Sequence, residues 1–199
     1  MKACIVSIGN ELLSGQTVDT NAAWLSGKLF ELGIATTGSW VVPDEQPRIL
    51  AAIHQASQDG NLILITGGLG PTEDDLTRRA IAAYWGVALE FQPELLAQIS
   101  VFFEKRGKKM ASNNRSQAYI PAGMTALGNP IGTAPGLWFR ENHTYLAVMP
   151  GVPVEMKRMF IDQVTPRIGR FGEGPTVVSG KLRCFGAGES DIAQKLGDL

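Results

Sequence analysis

An apolar run meets a glycine-rich turn at Ile63-Leu64-Ile65-Thr66-Gly67-Gly68-Leu69-Gly70-Pro71-Thr72-Glu73-Asp74-Asp75, and no other stretch constrains the fold as strongly. A strand with no polar face belongs inside a parallel sheet covered on both sides. The glycines let backbone come close to a ligand, and a helix N-terminus beyond them offers free N–H groups to anions. Yet acids stand where a simple phosphate loop carries a lysine. A turn that invites phosphate beside carboxylates that repel it is reconciled by a divalent cation between them.

The rest of the chain supplies the partners such a strand needs. Ala3 to Ile8 reads as a buried first strand. Asp19, Thr20 and Asn21 offer N-caps to a helix carrying Ala22, Leu25, Leu29 and Leu32, which Gly33 stops. Ile34 to Val42 is a second strand, and Pro47 opens a helix with Ile49, Ile53 and Ala56 on its inner face. Asn61 to Thr66 is the third strand. Strand, helix, strand, helix, strand gives a parallel sheet with helices on both faces. Helices are expected from about Asp74 to Trp85 and from Pro93 to about Arg106, followed by a long irregular stretch from Gly107 to Gly136. Leu137 to Arg140 and Thr144 to Met149 flank Glu141-Asn142-His143 as a hairpin, which adds one antiparallel strand; Pro150-Gly151-Val152-Pro153 then opens a helix through about Ile168. Residues 1–169 read as one domain. Residues 170–199 read as a linker, a strand from Thr176 to Phe185 and a short helix from Ser190 to Leu196, which are either the start of a second domain or a strand docked on the first.

Consecutive parallel strands joined by right-handed crossovers end at the same edge of the sheet, where ligands of open α/β sheets bind. That topology gathers Glu11, Asp44 and Asp75 at one edge, with Gly151 and a further helix start beside them. Two carboxylates about 4 Å apart repel by roughly 4 kcal/mol at an effective dielectric of 20, so a proton or a cation is required between them. Oxygen donors favour Mg²⁺ or a similar hard ion. Simpler roles compete for each residue. Asp74 and Asp75 suit the start of a helix, Glu11 an exposed loop, Asp44 a turn before Pro47, and Glu155 a helix cap. Lys105, Arg106, Lys108 and Lys109 suit a solvated helix end or an electrostatic guide for an anion.

Several classes of function are disfavoured. With a net charge of −1 and no basic stripe, direct nucleic-acid contact is not expected. No apolar run approaches the roughly 18 residues of a membrane span, and the opening segment lacks a signal-peptide pattern, so the expected location is cytoplasmic. Cys4 and Cys184 have no Cys or His at ligand spacing, which argues against zinc.

Several motifs in order carry a family resemblance. Gly9-Asn10-Glu11-Leu12-Leu13 with Gly15, Asp19 and Asn21 resembles the opening of the molybdopterin-binding-like domain. Thr66 through Thr77 resembles the glycine loop of that domain in the competence/damage-inducible CinA family. Asn114, Gln117-Ala118, Pro121, Gly132-Thr133-Ala134-Pro135-Gly136 and Pro150 through Met156 resemble the rest of the CinA amino-terminal pattern, up to about Arg170.

The resemblance implies a three-layer α/β/α fold with a mostly parallel sheet and a short C-terminal extension. It also implies a metal-dependent ADP-ribose pyrophosphatase that self-associates. Glu11, Asp44 and Asp75 are then the expected catalytic acids, and Asp44, Asp74 and Asp75 the holders of Mg²⁺, Mn²⁺ or Co²⁺. Gly67, Gly68, Gly70 and Thr72 are expected to cradle the diphosphate, with Asn114, Thr133, Gly136 and Gly151 along the remainder of a nucleotide-sugar substrate. A molybdopterin-binding or adenylyl-transferring enzyme and a non-catalytic nucleotide- or partner-binding module of a competence protein are the alternatives. The molybdopterin enzymes carry an arginine where this chain has Asp74, which favours metal over their anionic ligand. A C-terminal deamidase activity of longer family members is not carried over.

Overall fold

The apolar runs become β1 (Lys2–Ile8), β2 (Ala35–Val42) and β3 (Leu62–Thr66) in a computed structural model that describes residues 1–169, 183–186 and 188–197. Between them lie a single-turn α1 (Asn10–Leu13), α2 (Thr20–Glu31) and α3 (Gln46–Asp59). The Asp19 side chain caps α2 by accepting from the Ala22 N–H at 2.9 Å, as its position before the apolar repeat predicts. α4 (Thr77–Trp85) ends on a left-handed Gly86 and is followed by β4 (Leu89–Phe91) and α5 (Pro93–Glu104). Short strands β5 (Tyr119–Pro121) and β6 (Thr125–Leu127) precede the hairpin β7 (Gly136–Glu141) and β8 (Thr144–Met149).

The main sheet has the order β2-β1-β3-β8-β7-β6. The four strands from β2 to β8 are mutually parallel, and β7 runs against both of its neighbours. Register aligns the strand ends: Ile8 faces Val42, Ser7 faces Thr66, and Thr66 faces Met149. The loops after β1, β2, β3 and β8 therefore leave from one edge.

Alternation along the central strands builds two cores. Cys4, Val6, Ile63 and Ile65 face one way with Ile49 and Ile53 of α3 and Ala80 and Ile81 of α4. Ala3, Ile5, Leu62 and Leu64 face the other way with Leu25 and Leu29 of α2 and Phe160. Each fully buried Leu or Ile contributes about 1.5–3 kcal/mol relative to exposure, so the two faces lock the register.

α6 (Pro153–Met159) passes through a π-helical segment, Phe160–Val164, into α7 (Thr165–Ile168). Pro166 lacks the N–H for a bond four residues back and clashes with that carbonyl, which accounts for the widened turn just before it.

Three expectations are revised. The helix expected from Asp74 begins at Thr77, so Asp74 and Asp75 belong to the loop. The stretch from Gly107 to Gly136 is less irregular than its sequence suggests. It holds a 3-10 turn (Ser112–Ala118), β5 paired to β4, and β6 at the sheet edge. The expected linker Arg170–Pro175 and most of the strand from Thr176 lie outside the described residues. Residues 183–185 are described and are not strand, while α8 (Glu189–Leu196) covers the expected short helix and buries none of its residues. No described helix is long and apolar enough to cross a membrane.

Candidate functional site

At the shared edge the loops enclose a cleft of about 440 Å³ whose walls include Glu11, Asp44, Asp74, Asp75 and Glu155. Gly67, Gly68, Gly70, Thr72, Thr133 and Gly151 also line it. Among the described residues, no lysine, arginine or histidine does. The cleft is thus a concave surface of carboxylates beside a glycine loop.

The loop owes its shape to side chains behind it. The Gly67 carbonyl accepts from the Thr77 hydroxyl at 2.9 Å, and the Gly68 carbonyl from the Thr77 N–H at 3.2 Å. The Leu69 carbonyl accepts from Arg78 at 2.7 Å and from Gln117 at 3.3 Å; the Gly70 carbonyl accepts from Arg78 at 2.8 Å. The four carbonyls are therefore turned toward protein donors. Among the described residues no acceptor is assigned to the N–H of Gly68 or Leu69, which is the polarity an anion needs.

Arg78 is 4% exposed and has no carboxylate in direct contact among the described residues. Burial pushes its guanidinium down to about 10, against the opposing pull of Asp75, so it stays charged at neutral pH. Replacing it with methionine leaves the Leu69 carbonyl with the longer Gln117 bond and the Gly70 carbonyl with none. Arg78→Met should cost about 2 kcal/mol, read as a lower urea midpoint with an unchanged slope. A midpoint equal to the wild type's would show that the guanidinium does not hold the loop.

Asp75 works inside the loop. Its Oδ1 accepts from the Gly70 N–H at 2.7 Å, and its Oδ2 accepts from the Thr72 N–H at 2.9 Å and the Thr72 hydroxyl at 2.5 Å. With two lone pairs per oxygen, Oδ2 is saturated and Oδ1 keeps one. Asp75 is thus an organiser of the turn with little coordinating capacity to spare.

Asp44 is placed differently. Among the described residues its Oδ2 accepts only the Asn10 N–H, at 3.1 Å, which ties the end of β2 to the start of α1. Burial holds its carboxyl above the ordinary aspartate value, and the charges of Glu11, Asp75 and Asp74 push it further; the Asn10 N–H opposes both. A raised native pKa means the folded state binds the proton more tightly than the unfolded chain does. Stability from this group is full below 3.8, the ordinary value, and is lost as pH rises through the native pKa. At neutral pH the metal-free protein carries the unrelieved charge. Asp44→Asn should raise its stability at pH 7 by less than about 1 kcal/mol, because solvent screens a part-exposed carboxyl. It should also remove part of the stability gained on mild acidification. A variant no more stable than wild type at pH 7 would mean the acids do not strain this position.

Among the described residues, no three His, Cys, Asp or Glu side chains gather closely enough to hold a metal ion by themselves. The donor set suits a Mg²⁺-type site, in which one or two carboxylates share the ion with substrate phosphates and water. Asp44 and Glu11 fit that part, with Asp74, which is exposed, beside them.

The remaining expected residues divide. Gly151 and Thr133 line the cleft, and the Gly151 carbonyl accepts from the Asn21 side chain at 2.7 Å. Asn114 and Gly136 do not line it. Asn114 is buried and donates to Gln117 at 3.1 Å, while Gly136 packs under Met159 and the Val148 carbonyl, both of which a Cβ would overlap. Glu155 and Gln117 were not singled out as site residues from sequence. Glu155 sits two residues past Pro153 and accepts from Asn129 at 2.7 Å, so its position in a proline-opened turn at the sheet edge was the available signal.

A family profile described as "Probable molybdopterin binding domain" matches residues 4–170. The chain is 42% identical over 201 residues to a provisionally named competence-damage inducible protein of Lysinibacillus sphaericus. It is 41% identical over 199 residues to similarly named proteins of Bacillus cereus and Caldicellulosiruptor bescii. Each match covers 100% of this chain and 48% of the relative, so the chain spans about half the length of the curated relatives it matches. The solved structure of the CinA protein of Thermoplasma acidophilum superposes with a TM-score of 0.76 at 32% identity, over 84% of this chain and 97% of that one. MoaB, a molybdopterin biosynthesis enzyme of Thermus thermophilus, superposes with a TM-score of 0.55 at 16% identity, over 84% and 90%, a likeness of fold alone.

Proposed function

Because the chain belongs to the probable molybdopterin binding domain family, and within it to the CinA group, we propose that its acidic cleft hydrolyses a nucleotide-sugar diphosphate with a divalent cation, ADP-ribose and water giving AMP and ribose 5-phosphate. One observation carries the reading. A cleft walled by Glu11, Asp44, Asp74, Asp75 and Glu155 lies against a glycine loop with N–H groups to spare. An anion enters such a cleft only with a cation.

The chain's own groups divide the work. The Gly68 and Leu69 N–H groups receive phosphate oxygens, while the Thr72 hydroxyl is committed to Asp75. Asp44 and Glu11 would hold the Mg²⁺, Mn²⁺ or Co²⁺, which would supply charge neutralisation at the diphosphate. Asp75 keeps the loop in the receiving conformation. One of the acids at the cleft takes the proton from the attacking water, whose oxygen bonds to one phosphorus while the bridging oxygen leaves with the other phosphate. The proposal is tested by product analysis on ADP-ribose with each divalent ion: AMP and ribose 5-phosphate in equal amounts support it, and intact ADP-ribose throughout refutes it.

A molybdopterin-binding enzyme of the adenylyl-transferring type is the second reading, and the family description supports it better than it supports hydrolysis. Among the described residues the cleft has five carboxylates (Glu11, Asp44, Asp74, Asp75 and Glu155) and no cationic side chain, which weighs against a bare anionic ligand. Tight molybdopterin binding with no AMP released from ADP-ribose would establish this reading in place of the first.

A further inference from the structure

A second cleft of about 420 Å³ opens between α5 and the loop joining β6 to β7. We infer that it receives the planar heterocycle of the ligand whose phosphates occupy the acidic cleft, an inference that rests on the diphosphate reading and extends it. Thr133 lines both clefts. Asn129, a wall of the second, donates to Glu155, a wall of the first, at 2.7 Å. The two are neighbours across one loop, so a ligand with a phosphate part and a ring part spans both.

The walls carry apolar side chains against which a flat ring can pack. Leu95, Ile99 and Phe102 form an apolar side on α5, and Pro130 and Pro135 stand on the loop. The loop is braced from within. The Asn129 Oδ1 accepts from the Gly132 N–H at 2.9 Å and the Ile131 N–H at 3.3 Å, and its Nδ2 donates to the Ala134 carbonyl at 3.0 Å. A ring entering this slot meets a preset wall and pays little ordering entropy.

Charge separates the two clefts. Among the described residues, Lys105 and Arg106 are the charged ones that line the second. The Arg106 guanidinium lies 3.5 Å from the Phe102 ring centre and donates to the Phe102 carbonyl at 3.2 Å, so it forms a flat cationic stack at the lip. An electron-rich heterocycle gains from a cation against its face and accepts hydrogen bonds from both side chains. Gln98, exposed on α5, adds an amide that can both donate and accept. A purine ring with its acceptor nitrogens matches this set.

The test is equilibrium binding of ADP-ribose and of inorganic pyrophosphate, each with Mg²⁺, to wild type and Gln98→Trp. Tryptophan at this exposed position fills the second cleft and touches nothing in the first. ADP-ribose affinity should fall at least about tenfold while pyrophosphate affinity stays level. Phe102→Leu, which removes the stack, should move ADP-ribose affinity in the same direction. Equal loss for both ligands, or no loss for either, overturns the inference. So does a change in sedimentation mass with ADP-ribose affinity intact, which would assign the cleft to a second copy of the chain. Failure of the hydrolase reading is separately visible: wild type would release no AMP while the binding contrast persisted.

Discussion

Alanine at Gly67 should destabilise the protein by about 3–5 kcal/mol, a large part of the margin of a domain this size. Gly67 has φ +99°, and a Cβ there would overlap the Ile8 carbonyl oxygen, which belongs to the backbone of β1, hydrogen-bonded on both sides, and cannot step aside. Positive-φ strain and steric overlap add at this residue. Gly86 provides the control: it has φ +65° and open space within 4 Å of where a Cβ would stand, so Gly86→Ala carries strain alone and should cost about 1–2 kcal/mol. Denaturant midpoints measure both. Equal losses at the two positions would show that the close approach of the loop to β1 is not what makes Gly67 necessary.

Alanine at Asp75 should lower diphosphate turnover by at least about 100-fold, because three donors of the glycine loop lose their common acceptor and the phosphate-facing geometry relaxes. Asp75→Asn should be milder, since its amide oxygen keeps the Gly70 bond while its NH₂ group opposes the Thr72 donors. If Asp75 organises the loop, metal affinity holds nearly constant across wild type, Asn and Ala while kcat falls. If it is a principal ligand of the cation, metal affinity drops sharply in both variants. The second pattern would return Asp75 to the coordinating role that its place in the Glu-Asp-Asp run predicts.

That contrast shows where sequence reasoning reaches and where it stops. The central strands are apolar at nearly every residue, and their shared exit edge follows from parallel connection, so the gathering of Glu11, Asp44 and Asp75 was legible. The role of Asp75 was not. A helix opening and a loop closed by a carboxylate both place an aspartate just before an apolar repeat, and only the positions of the Gly70 and Thr72 N–H groups distinguish them. β4, β5 and β6 have three residues each, too few for alternation to register. Gly136 looked like a ligand-facing glycine because it closes the Gly132-to-Gly136 motif; its reason is packing beneath Met159. Arg78 drew no attention as one basic residue of a surface-like helix, yet it holds two loop carbonyls from inside the fold. Its role depends on burial, which charge pattern alone does not reveal.

Crowded carboxylates that admit a diphosphate only in company with a cation are the centre of this mechanism. Calorimetric titration of ADP-ribose into the protein, with Mg²⁺ and then with chelator, measures that dependence directly. Affinity is predicted to fall by at least about 100-fold when the cation is removed, the repulsion of the crowded acids being worth several kcal/mol. Equal affinity in Mg²⁺ and in chelator would contradict it.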